Sequence, residues 1–294
     1  MRTRTVIAVA VLTVAGGALA IATRRAWQRP PAQPASPGPV LNAPSLRTAS
    51  THPMQYYVSL PSGWSRARSW PVVVAIPGSD RNWLAHANAF AAMRDARGYP
   101  FIVITPVVLT IGGRDLRHSP EYAYAAAVWD HVDREGRCPF DMDGLRAVVA
   151  DVTQEYGGEA RVFLTGFSGG GHPAIAYTLV HPERLRAVAL SAGNYIGRCV
   201  RAPTAPTNPE VPEPIPAPPI SNAIERVTLP VRFFNGTDDP NWRHSIPQRD
   251  RAMSDLATNL FANVSSVMIP NVRHDPMIGL VLDYFHSVLA TTER

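Results

Sequence analysis

The sequence predicts an α/β fold, a mostly parallel sheet covered by helices on both faces. Three observations predict it. Short apolar runs recur between about residue 54 and residue 269. Longer stretches with apolar residues on one helical face lie between them. The two kinds of segment alternate along the chain and do not fall into separate blocks, which is the pattern of a parallel sheet with crossover helices. The length of 294 residues and the hydrophobic content of 46% suit one large domain with a sizeable core.

Taken in order, Met54 to Leu60 alternates as a half-buried strand does. Val72-Val-Val-Ala-Ile76 is apolar throughout and bounded by Pro71 and Pro77, which predicts a strand buried on both faces. Trp83 to Arg97 is rich in alanine and predicts a helix. Phe101-Ile-Val-Ile-Thr105 is the next strand, followed by helices over Tyr122 to Arg134 and Leu145 to Tyr156. Arg161 to Thr165 predicts a strand, and Gly170 to Val180 a helix. Ala187 to Ser191, Val231 to Asn235 and Val264 to Ile269 complete the strands. Pro247 to Phe261 and Met277 to Leu289 complete the helices. Ligands of such sheets gather at the carboxyl ends of the strands, so the loops that follow the strands are where chemistry is expected.

One segment breaks the rhythm. Residues 201–220 (RAPTAPTNPEVPEPIPAPPI) hold too many prolines for a helix or a central strand. They read as an insertion, either a plain surface loop or a contributor to the substrate cleft.

The N-terminus reads Met1-Arg-Thr-Arg and then an apolar run from Val6 to Ala22. A basic start, an apolar stretch and small-residue patterns such as Ala18-Leu19-Ala20 describe an export signal over residues 1–28. The run is close to membrane-spanning length and Arg24-Arg25 follow it, so an uncleaved signal-anchor fits as well. Residues 29–40 form a proline-rich tether, and the folded domain is expected over 41–294. No cysteine lies near the signal, which excludes bacterial lipoprotein acylation. An exported location, periplasmic, secreted or anchored to the membrane by the N-terminal segment, follows as the expectation. The two cysteines, Cys138 and Cys199, both lie beyond it. In an oxidising compartment such a pair invites a disulfide, and a bridge and two free thiols both fit the sequence.

The formal net charge is +5, and all 28 basic residues are arginine. A nucleic-acid binder clusters its charge on one face or in one run. These arginines are scattered, so no nucleic-acid partner is implied.

The chemistry concentrates at Thr165-Gly166-Phe167-Ser168-Gly169-Gly170-Gly171. Gly-x-Ser-x-Gly alone is a weak pattern. Here an apolar strand precedes it and a helical segment follows it, the setting of a sharp strand-to-helix turn that lifts a nucleophile out of the sheet. Side chains at the flanking glycines would collide with the neighbouring strand and helix. Ser168 then stands at a helix N-terminus, where backbone N–H groups face a developing anion. A serine hydroxyl needs a base, and the base needs an orienting acid. Behind a turn of this kind the acid and then the base follow the serine in the chain. The strand at 231–235 runs into Gly236-Thr237-Asp238-Asp239-Pro240, and the strand at 264–269 runs into Asn271-Val272-Arg273-His274-Asp275. His274 is therefore the candidate base. His172 is too close to the serine turn, His181 ends the following helix, and His286 sits in the last helix. His244 is the serious rival. Periodicity does not separate Asp238 from Asp239, and both suit a turn.

From about Tyr56 onward the chain resembles the α/β-hydrolase superfamily. Within it, the stretch from Asp143 through Gly-Phe-Ser-Gly-Gly to Ala192 resembles serine esterases related to polyhydroxybutyrate depolymerases and feruloyl esterases. The resemblance implies an α/β-hydrolase fold and favours Asp239, which precedes Pro240, as the acid. It implies two backbone oxyanion donors, Ser79 in the loop Ile76-Pro77-Gly78-Ser79-Asp80 and Gly169 just after the nucleophile. Proline stands where the family often has histidine in that loop. Trp83, the 114–121 segment and Trp242 are candidate pocket walls, and each is equally an ordinary core or rim residue. No phosphate loop or zinc pattern appears, so no cofactor is expected. The expected function is hydrolysis of a small-molecule or polymeric carboxylic ester by Ser168, Asp239 and His274. A serine peptidase of the same fold and a non-catalytic binding protein on this scaffold are the alternatives. Loss of a triad member would be the signature of the latter, and all three residues are present.

Overall fold

The computed structural model describes residues 43–111, 116–197 and 223–292. The expected signal, the tether and the 201–220 insertion lie outside the described residues.

Eight strands form one sheet in the order β1-β2-β4-β3-β5-β6-β7-β8. The chain enters through β1 (Ser45–Thr48) and β2 (Gln55–Ser59), which pair antiparallel, and β2 pairs antiparallel with β4. From β3 (Val72–Ile76) the chain passes through α1 (Trp83–Arg97) to β4 (Ile102–Pro106). It then returns through α2 (Ala126–Glu135) and α3 (Arg137–Tyr156) to β5 (Val162–Phe167), on the other side of β3. The helix α4 (Gly171–Val180) leads to β6 (Leu185–Ser191), and α5 (Ala223–Thr228) precedes β7 (Val231–Gly236). Finally α6 (Trp242–Thr258), β8 (Val264–Ile269) and α7 (Ile278–Thr292) close the domain. All pairings from β4 to β8 across the sheet are parallel. Among the described residues no helix is long and apolar enough to cross a membrane.

The strand order reverses at β3, whose neighbours are β4 and β5. The carboxyl ends of β3 and β5 therefore diverge in their connections, and a crevice opens there. Strand alternation divides the core between the two faces. Val72, Val74 and Ile76 point into one cluster with the buried residues of α3, α4 and α6. Val73 and Ala75 point into the other, with Phe90 of α1 and Val281, Leu282 and Phe285 of α7. Burial on both faces is why β3, β4 and β5 read as unbroken apolar runs.

The structure departs from the sequence expectation in five places, one of them the short helix α5, which was not expected. β1 was not expected, since only one of its four residues is more than slightly apolar and Leu46 is exposed. α3 begins at Arg137, well before Leu145: Pro139 lies in its first turn, where a missing N–H costs nothing, and Phe140 and Met142 are buried. The segment before Ala126 forms two short 3-10 turns, Leu116–His118 and Pro120–Tyr122, instead of the start of a helix. α6 begins at Trp242 and carries Pro247 inside it, where the proline reads in the sequence as a start signal.

Burial also makes the fold pH-sensitive. Loss of solvation lowers the imidazole pKa of His52, His86 and His172 to about 4, with His131 adding to the effect at His52. These groups favour the fold above pH 6.5, and that contribution is lost as pH falls toward 4. Burial acts oppositely on Asp141, whose carboxyl is raised to about 7, so its contribution is lost as pH rises toward 7. Between pH 4 and 6.5 three histidines oppose one carboxyl, and the unfolded chain binds more protons on these groups. The expected result is a thermal midpoint that rises from the acid to the neutral end of this interval. Calorimetry across that range checks it, and a falling midpoint would contradict it.

Candidate active site

Ser168 follows β5 directly and has a left-handed backbone, φ 48°. A non-glycine residue there is strained. Two glycines make the turn sterically feasible. A Cβ on Gly166 would stand 2.3 Å from the Gly170 carbonyl oxygen, and a Cβ on Gly170 would stand 2.3 Å from that of Pro77. The turn is anchored from outside as well, because the Ser168 carbonyl accepts the Asn194 N–H at 2.7 Å. A single 3-10 turn, Ser168–Gly170, then feeds α4.

The loop after β3 lies beside this turn, since Ile76 pairs with Gly166 across the sheet. Ser79 is the third residue past Ile76. A Cβ on Gly169 would stand 3.1 Å from the Ser79 nitrogen, so the two loops touch. Among the described residues, neither the Ser79 nor the Gly169 N–H donates to another turn or loop carbonyl. The Ser79 hydroxyl donates to the Ile111 carbonyl at 2.8 Å.

Asp239 and His274 arrive from β7 and β8. Gly236 pairs with Ile269 at the strand ends, and the two loops stay joined beyond them. The N–H of Thr237 donates to the Ile269 carbonyl, and that of Asp238 to the Val272 carbonyl, both at 3.0 Å. The Asn271 N–H donates to the Thr237 hydroxyl at 2.9 Å. This lacing brings the His274 Nδ1 within 3.0 Å of Asp239 Oδ2 and 3.2 Å of Oδ1. The Asp239 carboxylate is buried, and the imidazole is 22% exposed. Asp239 also accepts the Asn241 N–H at 2.7 Å and the Ser245 hydroxyl at 3.2 Å. Three donors thus surround the carboxylate and offset its burial. Asp238 is exposed, and among the described residues its carboxylate accepts only the neighbouring Thr237 hydroxyl, at 2.8 Å.

Two intervening strands, β6 and β7, separate β8 from β5 in the sheet. The His274 ring lies 4.9 Å from the Phe167 ring, centre to centre, one residue before the serine. The hydrogen bonds of the imidazole go to Asp239; none joins it to the Ser168 hydroxyl. The expected contact between base and nucleophile is therefore not made here, although the His274 ring packs against the residue next to Ser168. Such contacts commonly tighten only with substrate bound.

The other histidines lie elsewhere. His172 is buried in α4, with its ring 5.8 Å from Tyr195. His181 at the end of α4 faces Glu183 at 3.4 Å. His286 stacks on Tyr99 at 4.3 Å. His244 is exposed in the first turn of α6. Trp83 is buried beside Tyr122, and Trp242 is 55% exposed near the Asp239 turn. Residues 112–115 lie outside the described residues. Among the described residues no group of three His, Cys, Asp or Glu could hold a metal ion.

The sequence reading overlooked Ser245 and Phe167. Phe167 occupies the variable position of the Gly-x-Ser-x-Gly pattern, which carries no residue preference to read. Ser245 lies six residues past the acid. The bond from the Asn241 N–H is an Asx turn, and Asp-Pro-Asn is a sequence signal for it.

The sheet order and the strained serine turn between β5 and α4 define the α/β-hydrolase fold. The family model described as "Putative esterase" matches residues 48–251, and the chain belongs to this esterase family. No curated protein matches the sequence. Solved structures agree on the fold. Poly(aspartic acid) hydrolase-1 from Sphingomonas sp. KT-1 is 15% identical, with a TM-score of 0.55 over 83% of this chain and 97% of that one. An S-formylglutathione hydrolase from Agrobacterium tumefaciens is 15% identical, with a TM-score of 0.51 over 83% and 92%. Dipeptidyl peptidase 4 from Porphyromonas gingivalis is 12% identical, with a TM-score of 0.55 over 86% of this chain but 36% of the peptidase.

Proposed function

We propose that the protein hydrolyses carboxylic esters through an acyl-enzyme on Ser168, with His274 as general base and Asp239 as its orienting acid. The single observation that carries this reading is the 3.0 Å pair of His274 Nδ1 and buried Asp239, held beside the strained Ser168 turn. With Nδ1–H donating to Asp239, Nε2 is the free lone pair. It takes the proton of the Ser168 hydroxyl as Oγ attacks the ester carbonyl carbon. The carbonyl oxygen becomes an oxyanion facing the N–H groups of Ser79 and Gly169, each worth roughly 3 kcal/mol to the transition state. Collapse breaks the bond to the alkoxy oxygen, and His274 returns the proton to the departing alcohol. Water, deprotonated by the same imidazole, then attacks the acyl carbon and releases the acid and Ser168.

The chain is further proposed to be exported, with residues 1–28 as signal or anchor and 29–40 as a tether. Cys138 is buried and disulfide-bonded, which supports an oxidising compartment. Cys199, the other cysteine of the sequence, lies outside the described residues.

A panel of p-nitrophenyl esters with short, long and aromatic acyl groups, run beside matching anilides, tests the reaction class. Esters are expected to give a burst of nitrophenol equal to the enzyme, followed by slower turnover. The same burst is expected from the chain lacking residues 1–40. Faster cleavage of the anilides would support the peptidase instead, and turnover of neither would favour a non-catalytic scaffold.

A further inference from the structure

Asp141 lies in α3, far from the serine turn in sequence, and its carboxylate is completely buried. Among the described residues no ion pair compensates it. It is instead wrapped by the loop that follows β4. Its Oδ1 accepts the Leu109 N–H at 2.8 Å, and its Oδ2 accepts the Thr110 N–H at 2.8 Å and the Thr110 hydroxyl at 2.6 Å. Arg137 acts on it as a favourable charge, and burial, with Asp141 adding to it, raises the pKa of Tyr122 and Tyr124; the Tyr122 hydroxyl donates to the Val108 carbonyl of the same loop at 2.9 Å. Desolvation outweighs these donors and pushes the carboxyl up to about 7. A group so costly to bury, placed on one loop, calls for a reason in that loop.

The next residue supplies one. The Ile111 carbonyl accepts the Ser79 hydroxyl at 2.8 Å. It also lies 2.7 Å from where a Cβ on Gly169 would stand, and the Ser79 hydroxyl lies 2.1 Å from that point. Ile111, Ser79 and Gly169 therefore meet at one spot, and the loop that brings Ile111 there is held by Asp141.

We infer that Asp141 is a positioning residue for the oxyanion site: it pins the loop after β4 so that Ile111 holds Ser79 against Gly169. The inference rests on the proposed roles of Ser79 and Gly169. Backbone donors lose their worth when displaced by even about 1 Å, on the order of 100-fold in rate.

Asp141→Asn tests it. Whichever way the amide turns, its NH2 faces either the Leu109 or the Thr110 N–H, so the loop must shift. Thr110→Val is the milder variant, since it removes only the hydroxyl contact. A p-nitrophenyl phosphonate, which releases one nitrophenolate as the serine oxygen bonds to phosphorus, is reacted to completion and its adduct mapped to its residue, and this counts competent sites in each protein. Rates with p-nitrophenyl acetate are then expressed per titrated site. Asp141→Asn is expected to lower kcat about 100-fold with KM within about twofold, and Thr110→Val to lower it about 10-fold. Affinity for a trifluoromethyl ketone, which forms a hemiketal oxyanion with the serine, is expected to fall by the same factors. A merely structural role would reduce the number of titrated sites and leave kcat per site and ketone affinity at wild-type values, and that result overturns the inference. If Asp141→Asn does not fold, Thr110→Val decides alone by the same two readings. A wild-type protein that takes no label at Ser168 overturns the site reading and this inference with it. A labelled wild type with unaffected variants overturns this inference alone.

Discussion

Ser168→Ala is expected to lower kcat by about 10^6-fold while leaving the thermal midpoint nearly unchanged. The hydroxyl is the only atom removed, and it makes no hydrogen bond that the fold uses among the described residues. The strained backbone at φ 48° is shared by serine and alanine. Residual turnover of about 10^3-fold over water is expected, because the Ser79 and Gly169 donors and ester binding survive the change. Steady-state kinetics with a p-nitrophenyl ester, beside a melting curve, checks both halves. Activity retained within tenfold would remove Ser168 from the mechanism.

Asp239→Asn is expected to cost about 10^4-fold in kcat. The carboxylate accepts from the Asn241 N–H, the Ser245 hydroxyl and His274 Nδ1. An amide has one acceptor oxygen for these donors, so its NH2 faces another donor. The imidazole relieves that conflict by moving its proton to Nε2, where it can no longer accept the Ser168 proton. Asp238→Asn, by contrast, changes an exposed group whose one partner is the Thr237 hydroxyl. Its kcat is expected to stay within about twofold, as for surface changes generally. Kinetics of the two single variants, measured side by side, separates them. A crippled Asp238→Asn and an unaffected Asp239→Asn would reverse the assignment.

Much of the frame was legible because strong local signals bound it. β3 reads from residue 72 to 76 and β8 from 264 to 269, with the ends they have in the structure, and α1 from 83 to 97. Pro71 and Pro77 punctuate β3, and alternating or unbroken apolar character does the rest. β1 was not legible, because a four-residue edge strand with an exposed leucine has no buried face to imprint a pattern. The start of α6 was misread because proline is a start signal only on average. The start of α3 was missed because its first turns hold Arg137, Pro139 and Gly144 among the buried Phe140 and Met142 and show no clean helical period.

The candidate site divides in the same way. Ser168 stands out because its strand, its glycines and its helix are contiguous in the chain. The choice between Asp238 and Asp239 is not local: it depends on donors from α6 and on the β8 loop, and only packing displays them. Backbone donors such as the Ser79 N–H leave no side-chain signature at all. Asp141 was invisible for a further reason, since its partners lie about 30 residues away and two of them are main-chain groups.

The most direct test of the central claim is the mass of the covalent adduct. The full chain is incubated with a fluorophosphonate, digested, and the modified residue located by mass spectrometry. One adduct is expected, on the Ser168 hydroxyl, formed together with complete loss of esterase activity and absent from Ser168→Ala. Esterase activity that disappears with an adduct on another residue, or that persists with Ser168 fully modified, would contradict it.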